Sequence, residues 1–423
     1  MNSKLRKYLT VLALGLAGGS IYFLPYIKYV FYDAQIAAMG ISNTQSGLLM
    51  TMYTVGNMIL YIPGGIVADK VKPKKALVIS LLGTAALCYI YAFTLNFAIA
   101  MVVWLGLSFS TAFVFWSSLM KAVRIIGTEE EQGFMYGLYY ACNGLAGALT
   151  QSIALNAYKT AGGNMEGGFF RAVISGGSVA IVAAVLITIL MKENSEESGQ
   201  TNGDDDSKFQ MKDVFKLVKN PVVWFVSLTI FCGYGYYTST SYFNPYLTEV
   251  IGVSPESSGL ISIIRNYLLL LLAPVGGIIA DKLFKSTCKW LTTAFVILAA
   301  LFGIVMILPE GISPTVASLY TLIPGAFAMM MYGVIFSTVS EAGIPRKMTG
   351  TVIGIASIIG YLPDSIYSVL FGNWMDKHGA QGYNYIFTFL VVTGVIGAVL
   401  AIMIYRTGKK AKAENENGET AVL

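Results

Sequence analysis

Charge is what this sequence has least of: Asp, Glu, Lys and Arg make up 12% of its 423 residues, against 55% hydrophobic ones. The mean hydropathy is +0.65. A water-soluble fold of this size needs far more charge on its surface, so most of that surface meets lipid. Histidine is almost missing as well. His378, the single one, sits beside Lys377, which excludes a histidine-based metal site or catalytic triad. Cysteine is sparse: Cys88, Cys142, Cys232 and Cys288 lie scattered in apolar stretches without metal-ligand spacing and read as packing residues. There is no nucleotide-phosphate loop, so an ATP-driven pump has no engine. The inner loops are too short for a catalytic domain, and neither an enzyme nor a cofactor is expected.

What the chain does have is long apolar runs. A hydrocarbon core about 30 Å thick takes roughly 20 helical residues to cross, and runs of that length recur from end to end. Segments such as VAIVAAVLITIL do not alternate apolar and polar residues, so the spans are helices rather than barrel strands. Twelve are expected, at 8–31, 45–68, 76–95, 97–123, 133–158, 168–191, 221–248, 256–280, 289–308, 315–341, 350–373 and 385–406. The first lacks a small-residue cleavage site and is matched later in the chain, so it reads as a span rather than a removed signal peptide.

Placing the N-terminus inside puts 23 of the 28 Lys and Arg residues in cytoplasmic segments. By the positive-inside rule both termini are expected in the cytoplasm of a multi-pass plasma (inner) membrane protein. The net charge of +5 then reports topology, and no nucleic-acid partner is implied.

Between Met191 and Pro221 the apolar pattern stops. KENSEESGQTNGDDDSKFQMKD is acidic and polar, and reads as a disordered linker. The expected organisation is a first bundle over 1–191, a cytoplasmic linker over 192–220, a second bundle over 221–406 and a cytoplasmic tail over 407–423. The bundles repeat one another. PGGIVADKVKPKK at Pro63 to Lys75 returns as VGGIIADKLFKS at Val275 to Ser286, which sets Asp69 and Asp281 one half-length, 212 residues, apart. SGLLM at Ser46 returns as SGLIS at Ser258 with the same offset, and YFLPY at Tyr22 to Tyr26 answers YFNPY at Tyr242 to Tyr246. Duplicated six-helix bundles mark secondary transporters.

Two copies of a glycine-aspartate-basic loop, after helices 2 and 8, resemble the major facilitator superfamily over essentially the whole chain. The resemblance implies an all-α membrane fold of twelve helices in two pseudo-symmetric six-helix bundles, acting as a monomer on a small-molecule substrate. It also implies that Asp69, with Asp281 as its weaker copy, latches the bundles on the cytoplasmic side. Read from the residues alone, a carboxylate at an inner helix end can accept from the N–H groups of a neighbouring helix start, or Asp69 with Lys70, Lys74 and Lys75 forms a solvated loop.

Ionisable groups inside the spans are costly unless paired or facing water. Arg265 lies 16 residues before Asp281, roughly 24 Å up a straight helix. Its planar donors suit a carboxylate or phosphate, which makes it the first candidate for binding an anionic substrate; a structural ion pair is the alternative. Asp364, at a similar depth, either carries a coupling proton or caps the break made by Pro363. Aligning FWSSLMKAVR with IFSTVSEAGIP sets Lys121 opposite Glu341, an inner gate with Arg124 close by, or else ordinary helix-end charges. Lys28 near the outer end of helix 1 extends a positive path. Tyr22, Tyr26, Tyr237 and Asn244 line the cavity or belong to interfacial belts.

Nitrate and nitrite porters in the superfamily pair a helix-8 arginine with one in helix 2, where this chain carries Tyr53, and that departure argues against nitrate. Lys28 and the FWSSLMKAVR stretch look loosely like organic-anion and sugar-phosphate permeases. The expected function is secondary transport of a sugar acid or other carboxylate by proton coupling or exchange. A neutral sugar, nucleoside or drug carrier with a structural Arg265, and a transporter-like sensor, are the competing classes.

Overall fold

The computed structural model describes residues 3–126, 132–191, 217, 219–309, 311–344 and 349–416. Among the described residues there is no strand, and helix follows helix throughout. The solvent explains this. Lipid offers nothing to a bare backbone N–H or C=O, so each must be satisfied within its own helix. Eight continuous helical stretches among these residues are long and apolar enough to cross a membrane, including Pro73–Thr94, Met165–Leu190 and Thr287–Val305. The first, second, fifth and seventh spans complete the twelve-helix, all-α architecture.

Several spans are broken where the sequence reads as continuous. The first consists of Ser3–Ile21 and Lys28–Met39 joined by a turn, and the seventh of Pro221–Ser239, a 3-10 turn Thr240–Tyr242, and Phe243–Glu249. Both breaks fall on the repeated YFLPY and YFNPY motifs. Pro25 and Pro245 each remove one backbone donor and crowd the carbonyl a turn earlier, which unseats the helix. The twelfth span, Ala380–Glu416, runs well past its expected end near 406, because AKAENE consists mostly of good helix formers. Residues 192–216 of the expected linker and 417–423 of the expected tail lie outside the described residues.

By their contacts the residues form two compact units: Met1–Asn202 with Leu247–Leu268, and Gly203–Tyr246 with Leu269–Leu423. In the first unit, Tyr91 meets Trp104 edge-on at 5.0 Å within a core that includes Leu24, Leu107 and Phe169. A second core gathers Leu14, Leu81, Phe115, Leu119 and Ala180. In each unit one glycine brings two spans into backbone contact. A Cβ on Gly64 would strike the Phe113 carbonyl, and one on Gly276 would strike the Met330 carbonyl. The repeat thus extends to a close approach between helices, where small residues let backbones meet.

Candidate functional site

The eighth span begins as Pro255–Ile263 and continues as a π-helical turn, Ile264–Leu268, which carries Arg265. Within the first unit, Pro255–Ile263 packs on Lys28–Met39 and on the fifth span, Gln132–Lys159, and the π turn packs on the fifth span as well. Arg265 is fully buried, and its Nη2 donates to Ser262 Oγ at 2.8 Å. Two residues on, the Tyr267 hydroxyl accepts from Gln151 Nε2 at 2.8 Å, while its ring lies over Gly147. Gly147 and Gln151 stand four residues apart, so one face of the fifth span supplies both the space and the donor. Arg265 is held at a fixed place by these contacts. Straight-helix spacing missed the π turn, a feature common at functional sites.

Lys28 opens the helix that follows the first break and is 4% exposed. It borders a narrow gap with Pro25, Gln35, Ser46, Met50 and Trp104. Gln35 is fixed across it, accepting from Ser46 Oγ at 3.0 Å and donating to the Tyr91 hydroxyl. Tyr26 sits 6.4 Å from Tyr22, 5.1 Å from Tyr29 and 6.0 Å from Tyr53, ring centre to ring centre. Tyr53, where nitrate porters have an arginine, is buried with its hydroxyl 2.9 Å from Thr111 Oγ1. Lys28, Arg265, Tyr22 and Tyr26 therefore belong to one unit.

Asp364 belongs to the other. It follows Pro363 in the first turn of Pro363–His378 and is 4% exposed. One carboxylate oxygen accepts from the Tyr234 hydroxyl at 2.7 Å and the other from Thr238 Oγ1 at 2.8 Å. Both donors lie on the seventh span, one helical turn apart. Tyr237, on the same helix, stacks on Tyr332 at 4.4 Å. Asn244 is buried in the segment after the 3-10 turn. Tyr234 and Thr238 were not singled out by the sequence reading, although their four-residue spacing is visible there.

At the inner ends, Glu341 accepts from Ser286 Oγ at 2.7 Å, from the Cys288 N–H at 3.1 Å and from the Thr287 N–H. It caps the start of the ninth span within its own unit. Lys121 is half-buried and Arg124 exposed on Phe115–Ile126, whose Met120 carbonyl accepts from the Tyr136 hydroxyl. Asp281 is exposed in the π-helical end of the eighth span, Ile279–Phe284. Asp69 lies in the last turn of Asn43–Lys70, its side chain outside what is described. Among the described residues no group of His, Cys, Asp and Glu could hold a metal ion.

Twelve helices in two repeats, with a guanidinium and a carboxylate buried inside their spans, define a protein of the secondary-transporter class. The model of the Major Facilitator Superfamily matches residues 8–368, and the chain belongs to that superfamily: it is a membrane transporter, not an enzyme. The inner membrane protein YihN of Escherichia coli (strain K12) is 26% identical over 413 residues, 97% of this chain and 98% of that one. The glycerol-3-phosphate transporter of Bacillus subtilis (strain 168) is 21% identical over an alignment of 432 positions, covering 94% of this chain and 92% of that one. Among solved structures, a bacterial homologue of the human lysosomal transporter Spinster in an inward-facing, unoccupied conformation superposes with a TM-score of 0.75. Its identity is 16%, over 97% of this chain and 99% of that one, a likeness of fold.

Proposed function

We infer that the chain is a secondary active transporter of a small organic anion, a sugar acid or other carboxylate. It sits in the inner membrane with both termini in the cytoplasm and works by alternating access as a monomer. The observation that carries this reading is Arg265, fully buried in a π-helical turn. Burying a guanidinium is costly, and a bidentate anion repays that cost better than a neutral solute does. Lys28, buried in the same unit, adds a second positive charge. The relative named as a glycerol-3-phosphate transporter supports an anionic cargo. Tyr22, Tyr26, Tyr237 and Asn244 are the neutral contacts in this reading, and Asp364 is the carboxylate that takes up a coupling proton if transport is proton-driven.

On the cytoplasmic side Asp69 is the latch, with Asp281 as its counterpart in the second repeat. Lys121 and Arg124 supply positive charge at the inner mouth, and Glu341 braces the ninth span there. Uptake of a hexuronate into liposomes holding the purified protein tests the core of the reading. Arg265→Ala is expected to abolish it while the protein still folds. Undiminished uptake by that variant would assign Arg265 a structural role and overturn it as the anion site.

A further inference from the structure

Val392, Val395, Val399 and Ile402 of the twelfth span are exposed and recur at three- and four-residue spacing, which puts them on one face of Ala380–Glu416. Two further steps of the same spacing reach Arg406 and Lys409, also exposed. The ninth span, Thr287–Val305, repeats the pattern in the opposite direction: exposed Ala300 and Val296 lead back through Thr293 to exposed Lys289. The two spans pack against each other within one unit, and their basic ends meet, with Lys289 Nζ 5.0 Å from the centre of the Tyr405 ring.

We propose that Lys289, Arg406 and Lys409 bind the phosphate of an anionic phospholipid whose acyl chains lie along the exposed apolar faces of the ninth and twelfth spans. Such a site does not depend on what the cargo is, and Arg265, the cargo's anion site, belongs to the other unit.

A charge that only sets topology has to stand on the right side of the membrane and nothing more. These three instead continue the two stripes that meet lipid, roughly one to two helical turns beyond the last exposed apolar residue, at the level of a headgroup. Their helix ends are also held. A Cβ on Gly408 would strike the Glu341 carbonyl, so the twelfth span is pressed against the tenth at this level. The same helix runs unbroken to Glu416, which keeps Arg406 and Lys409 in register with the apolar face. The Tyr405 ring holds the Lys289 ammonium through a cation–π contact. The chemistry then selects the guest. A guanidinium fork takes two phosphate oxygens at once, and the two ammonium groups add point charges beside it. A soluble phosphate makes no use of the apolar faces, whereas a phospholipid uses both ends, and basic pockets beside membrane helices are where such headgroups bind.

The test is native mass spectrometry of the full-length detergent-purified protein titrated with dioleoyl phosphatidylglycerol and dioleoyl phosphatidylcholine, which carry the same chains under an anionic and a neutral headgroup. The wild-type protein is expected to bind the first lipid at least ~10-fold more tightly. Lys289→Gln with Lys409→Gln is expected to cut that preference by roughly 10-fold and leave phosphatidylcholine unchanged. Lys74→Gln with Lys75→Gln, which removes the same charge at the start of the third span, is expected to keep it. Equal binding of the two lipids by wild-type protein overturns the proposal and needs no variant to fold. A loss as large in the Lys74 and Lys75 pair reduces the effect to net charge and overturns it too. So does inorganic phosphate displacing the lipid at equal concentration, the mark of a site for a soluble anion. Arg265→Ala is expected to bind phosphatidylglycerol as the wild type does; binding lost there would put the lipid in the cargo site, overturning the proposal while sparing the anion reading.

Discussion

Glu341 Oε2 accepts from Ser286 Oγ at 2.7 Å, tying the end of the tenth span to the first residues before the ninth. The same carboxylate also takes the N–H groups of Thr287 and Cys288, two of the donors that a helix start leaves without an internal partner. Negative charge at a helix N-terminus adds a favourable interaction with the macrodipole. Glu341→Ala is therefore expected to destabilise the protein by about 1–3 kcal/mol, and Glu341→Gln, which keeps an acceptor, by about 1 kcal/mol or less. Thermal unfolding in detergent measures both. A gate that depends on an ion pair with Lys121 gives another pattern: Glu341→Gln keeps its melting temperature and loses transport, and Lys121→Glu with Glu341→Lys restores it.

Gly64 and Gly276 give a sharper pair. Any side chain at either position runs into a carbonyl oxygen of the neighbouring span rather than into a movable side chain. Gly64→Ala and Gly276→Ala are each expected to cost about 1–3 kcal/mol or more through overpacking, seen as reduced yield of monodisperse protein and a lowered melting temperature. Gly277→Ala is the control, because a Cβ there meets only Val334 Cγ1 at 3.8 Å. If Gly276→Ala and Gly277→Ala behave alike, the close approach is not what that glycine provides.

How much of this could be read from the sequence follows from what each signal depends on. Twelve helices, the duplication and the superfamily rest on hydropathy and on residues shared between repeats, and those survive any detail of packing. Arg265 and Asp364 were legible because a charge in an apolar run is conspicuous. The π turn holding Arg265 was not, since helix type depends on tertiary contacts such as those of Tyr267 rather than on local propensity. Glu341 shows a different limit. The repeat alignment pairs it with Lys121, yet a carboxylate near a helix start is drawn to backbone N–H groups that no alignment displays.

Replacing Arg265 by lysine separates charge from shape. Lysine keeps the positive charge but replaces a planar fork with a compact point donor. Arg265→Lys is expected to raise KM for a carboxylate substrate by roughly tenfold with little change in the maximal rate, as befits a lost bidentate contact worth about 1.4 kcal/mol. Initial uptake rates over a range of substrate concentrations in liposomes read both parameters. A KM equal to the wild-type value would mean that the fork geometry is not used on the substrate.

The contact between Gln151 and Tyr267 is the place where the fifth span fixes the turn that carries Arg265. Tyr267→Phe removes a hydroxyl and leaves the buried Gln151 amide short of a partner, which is expected to cost about 1–3 kcal/mol. Gln151→Leu leaves the Tyr267 hydroxyl in the same position. Because each single variant strands one group and the double variant strands neither, the double loss is expected to fall below the sum of the single ones by about 0.5–3 kcal/mol. A function for the contact adds a second expectation that stability alone does not give. If Tyr267 positions Arg265, Tyr267→Phe raises KM for the anion while leaving transport of any cargo independent of Arg265 unchanged. Strict additivity together with an unaltered KM would show that the pair neither couples nor positions.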